Sequence, residues 1–501
     1  MRVAGQWGGR ANTLPVDAMG VRCGEDMWAP VTRHASKEFT SLSMSQRNLP
    51  SLIVDIQPFD AAPANLLDIA PDPTGLLAWL GADIEIVGWG ETAQIDAVGK
   101  HAMRESSRMW TELTAEATVN NHSGYDWADR APFAVASFGF AAQTPGFVTI
   151  PQIAIVRRGG EAVIVTARRV SLPELSASHD TASALGAHGT LSSRDIDIHL
   201  APTPPAFAVQ QPVSAPTNLQ TAPGRMTQSR WRASLDKLIE ALQAGAASKV
   251  VLSRDIVVTS DSPIDERYLA RQLKARYPST WVFAAGGLIG ATPEMLAGVQ
   301  MSGRTGEHAG TVRSRVLAGT ASPGAGQDLL DSVKNRTEHH FAVESVARAL
   351  APLADELDVP PEPFLLELPN VVQLATDVTA RIDGGSALDI AGALHPTAAV
   401  CGTPTKLAFD LLEQLEGTER GRYSGPVGWI DRTGSGEFGI ALRCGQLEDG
   451  HRSIRLFAGG GIMPDSIPSV ELAETSAKMR PILEALGVDD SGTTDLTGAK
   501  L

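Results

Sequence analysis

The sequence predicts a fold of mixed strands and helices, on three observations. From about residue 51 to 200, short apolar runs alternate with turn residues, which reads as several β-strands with helices between them. RWRASLDKLIEALQAG then has helical spacing and is followed at once by an apolar strand, KVVLSRDIVV. Near the C-terminus, RGRYSGPVGWIDRTGSGEFGIALRCGQLE reads as a β-hairpin with its turn through Thr433, Gly434, Ser435 and Gly436.

Taken in order, residues 1–50 show no clear period, and a disordered extension with translation starting at Met44 is expected. ADIEIVGWG, FAVASFGF, VTIPQIAIVRR and EAVIVTARR are the strand runs of the next segment, 51–224. That segment closes with the Pro-, Ala- and Thr-rich LAPTPPAFAVQQPVSAPTNLQTAPG, an extended connection. Residues 225–487 begin with the amphipathic helix, which puts Leu235, Leu238, Ile239 and Leu242 on one face and stops at Gly245. TWVFAAGGLIGATPEML reads as a strand ending in glycines, and LLDSVKNRTEHHFAVESVARAL as one strong helix. A flexible tail is expected over 488–501.

A chain of 501 residues with 43% hydrophobic content can bury a large core. Its formal charge of -15 opposes nonspecific binding to nucleic acid or anionic membrane, and no Lys/Arg run overrides it locally. Cys23, Cys401 and Cys444 are odd in number and widely separated, against a disulfide framework or a structural zinc site. With neither a signal-peptide pattern nor about 18 uninterrupted apolar residues, a cytoplasmic location is expected.

Four segments carry groups that could do chemistry. In LFAGGGIMPDSIPSVELAETSAKMRPIL, a glycine turn at Gly459 to Gly461 runs into a helix on which Glu471, Glu474 and Lys478 share a face. Carboxylates beside flexible backbone suit a magnesium-bound anion, and a surface helix with one intrahelical ion pair fits equally well. Lys249 opens an otherwise apolar strand. Partial burial would lower its pKa and make it a general base, whereas snorkelling from the strand end is the plainer account. Glu294, beside Met295 and Leu296, would have a raised pKa and serve as a general acid; a first-turn glutamate favouring a helix dipole is the alternative. Lys334 and Glu338 lie one turn apart on their helix beside adjacent His339 and His340, which cannot both face one metal, so Glu338 is the better ligand candidate. Arg443, in an apolar strand, calls for a charged partner, either a substrate carboxylate or an internal acid. Gly286, Gly287 and Gly290 lack the full dinucleotide-loop spacing.

In this order the segments resemble the chorismate-utilising enzymes, and specifically the isochorismate synthases. The matching strings are KVVLSR (249–254), GATPEML (290–296), LAGT (317–320), SVKNRTEHHFAV (332–343), ALHPTAAVCGTP (393–404) and ERGRYSGPVGW (419–429), with the Arg443 strand and AGGGI followed by ELAETSAK. They cover about 225–487, and 51–200 agrees more loosely. Lys249 stands where anthranilate synthases typically have glutamine, which implies activation of water. Ala318 stands where aminodeoxychorismate synthases carry a nucleophilic lysine. Gln373 departs from the pattern, since family members often have histidine there.

The resemblance implies the α+β chorismate-enzyme fold, with two large antiparallel sheets, helices outside and the site in the cleft between them, the N-terminal half contributing strands to one interwoven domain. It further implies Mg²⁺-dependent conversion of chorismate to isochorismate, water adding at carbon 2 as the carbon 4 hydroxyl departs. Lys249 would be the base and Glu294 the acid. Glu338 and Glu474, with Glu471 nearby through water, would hold the metal. Arg443, Lys478, Tyr423, Gly460, Gly461, Thr320, His395 and Ala399 would contact substrate. No glutamine amidotransferase subunit is expected, and the protein would be a monomer or homodimer serving menaquinone or catechol-siderophore synthesis. The rival readings are a salicylate synthase, which also removes pyruvate, and a noncatalytic metal-stabilised subunit.

Overall fold

The computed structural model describes residues 51–170, 211–302 and 309–488. The N-terminal extension, Met44, Cys23, the first part of the proline-rich connection and the C-terminal tail lie outside the described residues.

Two large sheets form the body. The first runs, in spatial order, Gln220–Pro223, Lys249–Thr259, Ser453–Ile462, Cys444–Glu448, Leu288–Thr292, Trp281–Ala285, Leu77–Leu80, Ile84–Trp89, Ile153–Arg158, Glu161–Val170, Ser51–Pro58 and Thr118–Asn121. The short strand Gly402–Thr403 pairs on the side of Lys249–Thr259. The second runs Ala354–Asp358, Val372–Asp383, Ala309–Ala321, Met295–Met301, Gly436–Ile440, Pro426–Asp431, Phe133–Ser137, Gly146–Ile150 and Ala93–Ala97, with Phe364–Glu367 beside Val372–Asp383. Pairing is antiparallel throughout these strands except between Ser51–Pro58 and Thr118–Asn121. N-terminal strands are built into both sheets: Leu77–Leu80 pairs with Trp281–Ala285, and Phe133–Ser137 with Pro426–Asp431.

Local chemistry accounts for the elements. All four N-terminal runs contain strands, VTIPQIAIVRR being divided between Gly146–Ile150 and Ile153–Arg158, and Phe133–Ser137 is buried at every position. The amphipathic helix is Gln228–Gln243; the Thr227 hydroxyl caps it by accepting from Arg230 N–H, and Gly245 ends it with φ +83°. Trp231, Leu235, Leu238 and Leu242 are buried, and Ile239 is half-buried.

Three local readings need correction. TWVFAAGGLIGATPEML is a hairpin followed by a further strand, because Gly286 (φ +56°) and Gly287 (φ +76°) supply the two left-handed residues of a tight turn. LLDSVKNRTEHH spans two helices, Gly326–Asp331 and Val333–Leu350, because extended Ser332 separates them and its hydroxyl accepts from Asn335 N–H as an N-cap. The glycines 459–461 belong to the strand Ser453–Ile462, paired with Lys249–Thr259.

A buried ion pair locks the strand that begins at Lys249. Arg420 and Glu416 are 3% and 5% exposed and meet at 2.5 Å. The Arg420 guanidinium also donates to Val251 O and Val400 O and lies 4.2 Å over the Phe140 ring, while Glu416 accepts from Ser253 N–H. Sequence reading missed this pair; its i, i+4 spacing in an otherwise polar loop was the available signal. Arg420→Met is expected to cost about 3–5 kcal/mol, because it strands a buried carboxylate; urea denaturation checks it.

Candidate active site

The chemistry-bearing groups gather where the chain passes from one sheet to the other. Glu294 sits between Leu288–Thr292 of the first sheet and Met295–Met301 of the second. Arg443 sits between Gly436–Ile440 of the second and Cys444–Glu448 of the first. The two crossings are joined by Ile440 N–H to Glu294 O and Ala291 N–H to Arg443 O, both 3.2 Å. Glu294 is therefore held between strands, not in a helical first turn, and Arg443 is beyond the strand expected to carry it. Its left-handed backbone (φ +48°) turns the chain at the crossing.

Lys249 and Glu338 face each other across the strand of glycines. Lys249 is fully buried, and its Nζ lies 3.1 Å from Glu338 Oε1, close but not aligned as a hydrogen bond. Gly461 makes the approach possible: a Cβ there would collide with Glu338 Oε1 and come 2.9 Å from Lys249 Cε. Gly460 leaves room for Glu471 Oε2 and Gly459 for the Tyr423 hydroxyl, each 3.2 Å from where a Cβ would stand. Pairing with Cys444–Glu448 stops at Leu456, so residues 457–462 have a free far edge among the described strands, and Lys478 Nζ donates to Gly459 O at 2.9 Å. Gly461→Ala is expected to lower kcat/KM more than about 100-fold with the fold retained, checked by steady-state kinetics and circular dichroism, since displacements of about 1 Å have that effect in a positioned site.

The helix Pro468–Leu486 does present Glu471, Glu474 and Lys478 together. Lys478 Nζ meets Glu474 Oε1 at 2.6 Å, so the intrahelical pair exists and also faces inward. Glu471 is bonded by Lys334 Nζ (3.0 Å) and Ser466 Oγ (2.7 Å). Burial and the neighbouring Glu474 charge push the Glu471 carboxyl upward. Burial also acts upward on Glu474, but the ammonium of Lys478, with Lys334 and Arg443, holds it below its ordinary value.

Glu294 is strongly altered by its surroundings. Burial pushes its carboxyl up to about 8, against the opposing pull of a backbone hydrogen bond at Leu317 and the charges of Lys249, Arg443 and Lys478. It therefore carries a proton at neutral pH within reach of three cations. A carboxyl raised from 4.5 to about 8 binds its proton more tightly folded than unfolded. Its contribution to stability is full below about 4.5 and falls as pH rises to about 8. Relative to Glu294→Gln, the native protein is expected to lose stability across that window, as chemical denaturation at stepped pH would show.

Arg443 is buried, and burial pushes its guanidinium downward; its Nε has no hydrogen-bond partner and its Nη2 reaches Gln373 Oε1 at 3.5 Å. Gln373 also donates to the Thr320 hydroxyl at 3.3 Å, which places Thr320 beside this group. Tyr423 is buried, stacked on Phe457 at 5.1 Å, and its hydroxyl is pushed up to about 12 by burial. His395 turns elsewhere: its Nε2 bonds Phe140 O at 3.0 Å. Ala399 is half-buried in the turn leading to Gly402–Thr403, the strand beside Lys249. His339 bonds Ala318 O and Thr376 Oγ1, a structural role. A cavity of about 1010 Å³ is lined by Trp281, Trp429, Arg130 and Met295 among others, and none of the acid, base or carboxylate candidates lines it.

No three acidic, thiol or imidazole groups form a ready metal cage among the described residues. The carboxylates nevertheless suit a hard divalent cation, because Glu471 Oε2 is buried without a partner and aimed at Gly460 beside Glu474.

Comparison with known proteins identifies the family. The family model described as chorismate binding enzyme matches residues 40–487. The chain is 35% identical over 272 residues to isochorismate synthase DhbC of Bacillus subtilis, covering 52% of this chain and 68% of that protein. It is 30% identical over 437 residues to the salicylate biosynthesis isochorismate synthase of Pseudomonas aeruginosa, covering 82% and 85%. The solved structure of MenF, the menaquinone-specific isochorismate synthase of Escherichia coli, shares the fold, with a TM-score of 0.65 at 21% identity over 88% of this chain and 95% of that one. The chain belongs to the chorismate binding enzyme family, alongside its isochorismate synthases.

Proposed function

We propose that this protein is an isochorismate synthase, an isomerase that converts chorismate to isochorismate. The observation that carries the reading is a buried, protonated Glu294 at the sheet crossing, in the electrostatic field of Lys249, Arg443 and Lys478. An acid that keeps its proton opposite a buried amine is what the two proton transfers require.

In this mechanism Lys249, in its neutral amine form at the moment of attack, takes a proton from the water that attacks carbon 2, and Glu294 gives its proton to the departing carbon 4 hydroxyl. Arg443, its Nε still unsatisfied, offers its planar fork to a substrate carboxylate. Tyr423, Lys478 and the edge amide of Gly461 hold the remaining anionic oxygens, while the amide of Gly460 points into the ladder toward Leu252. Glu338, Glu471 and Glu474 would hold a magnesium ion, which supplies positive charge to the ring carboxylate when bound. Ala318 offers no nucleophile to the ring, in keeping with water as the incoming group.

Its relatives bear names from both menaquinone and siderophore routes, and either placement fits this activity. A cytoplasmic monomer or homodimer working without an amidotransferase completes the proposal. Incubation with chorismate and magnesium should yield isochorismate, abolished by chelation; salicylate with pyruvate would move the protein to the lyase reading, and no turnover would support the noncatalytic one.

A further inference from the structure

Each carboxylate assigned to the cation is met by a lysine: Glu338 by Lys249 at 3.1 Å, Glu474 by Lys478 at 2.6 Å and Glu471 by Lys334 at 3.0 Å. Two of these lysines have other work in the mechanism. Lys334 has none, and it alone has somewhere to go: its side chain is 29% exposed, against 13% for Lys478 and 1% for Lys249. Its ammonium also lies within electrostatic reach of Glu338, Glu474 and Asp465, so it sits among all three carboxylates. On Glu471, Lys334 and Ser466 occupy Oε1 while Oε2 is buried and open.

We propose that Lys334 is a built-in rival of the divalent cation: its ammonium holds Glu471 in the cluster, must swing toward solvent for the ion to be bound, and so sets the ion's affinity. A lysine suits this role because its four-carbon stem is flexible and its charge is a compact point. Removing one positive charge at this range strengthens the cluster's attraction for a dication, even after solvent screening. The proposal rests on the metal-dependent reading above and deepens it.

The test is Mn²⁺ binding to chelator-treated protein, followed by the electron paramagnetic resonance signal of free Mn²⁺ and by calorimetry. Lys334→Met is expected to bind Mn²⁺ at least about tenfold more tightly than the native protein. Lys334→Arg, which keeps the charge on a bulkier head, should bind it no more tightly than the native protein. Thermal melts give a second readout: in chelator Lys334→Met should melt below the native protein, and Mn²⁺ should raise its Tm by more. Unchanged or weaker Mn²⁺ binding by Lys334→Met, or tighter binding by Lys334→Arg, overturns the proposal while leaving the metal site standing. Absence of Mn²⁺ binding by the native protein and every variant overturns the metal reading, and this proposal with it.

Discussion

Replacing Lys249 with alanine is expected to lower kcat by about 10³-fold, within the range of about 10² to 10⁴ for loss of a positioned general base. KM for chorismate should change little, because the anion-binding groups Arg443, Lys478 and Tyr423 are untouched. Lys249 is fully buried against Glu338, so the variant also loses its ion contact and opens space beside Gly461. Melting curves with and without Mg²⁺ separate a folding defect from a chemical one. A folded Lys249→Ala that retains native kcat would remove Lys249 from the chemistry.

The second large effect concerns Glu294. Glutamine there keeps the shape and the neutrality that burial already imposes on the carboxyl, so the variant is expected to be more stable than the native protein near neutral pH and kcat to fall by about 10³-fold. In the native enzyme, kcat/KM should decline as pH rises through about 8, where Glu294 surrenders its proton. The residual rate of Glu294→Gln should lack that decline. A variant that preserves both the rate and the alkaline limb would assign the proton to another group.

Much of this was legible in the chain, because strand alternation and helical spacing are local. The face shared by Glu471, Glu474 and Lys478 followed from the helical period alone. What joins elements far apart in sequence did not follow. Nothing local says that Leu77–Leu80 pairs with Trp281–Ala285, or that Glu338 reaches Lys249 and not Lys334. The crossing at Arg443 was misread for a related reason: apolar patterning continues through it, as though one strand ran on where the chain changes sheets. The Gly286–Gly287 turn was misplaced because a paired glycine was taken as a strand end, although it closes a hairpin. Glycines 459–461 were recognised as a close approach, but its cause, the Glu338, Glu471 and Tyr423 side chains packed over a strand, belongs to tertiary structure. His395 came from the family resemblance, and its bond to Phe140 O directs it to the scaffold.

The measurement closest to the central claim is a turnover of chorismate in H₂¹⁸O, with the isochorismate analysed by mass spectrometry. Activation of water by Lys249 with departure of the carbon 4 hydroxyl through Glu294 predicts one solvent oxygen in each product molecule, at carbon 2. Unlabelled isochorismate would mean that the original hydroxyl migrates within the substrate, and would contradict the assignment of these two residues as base and acid.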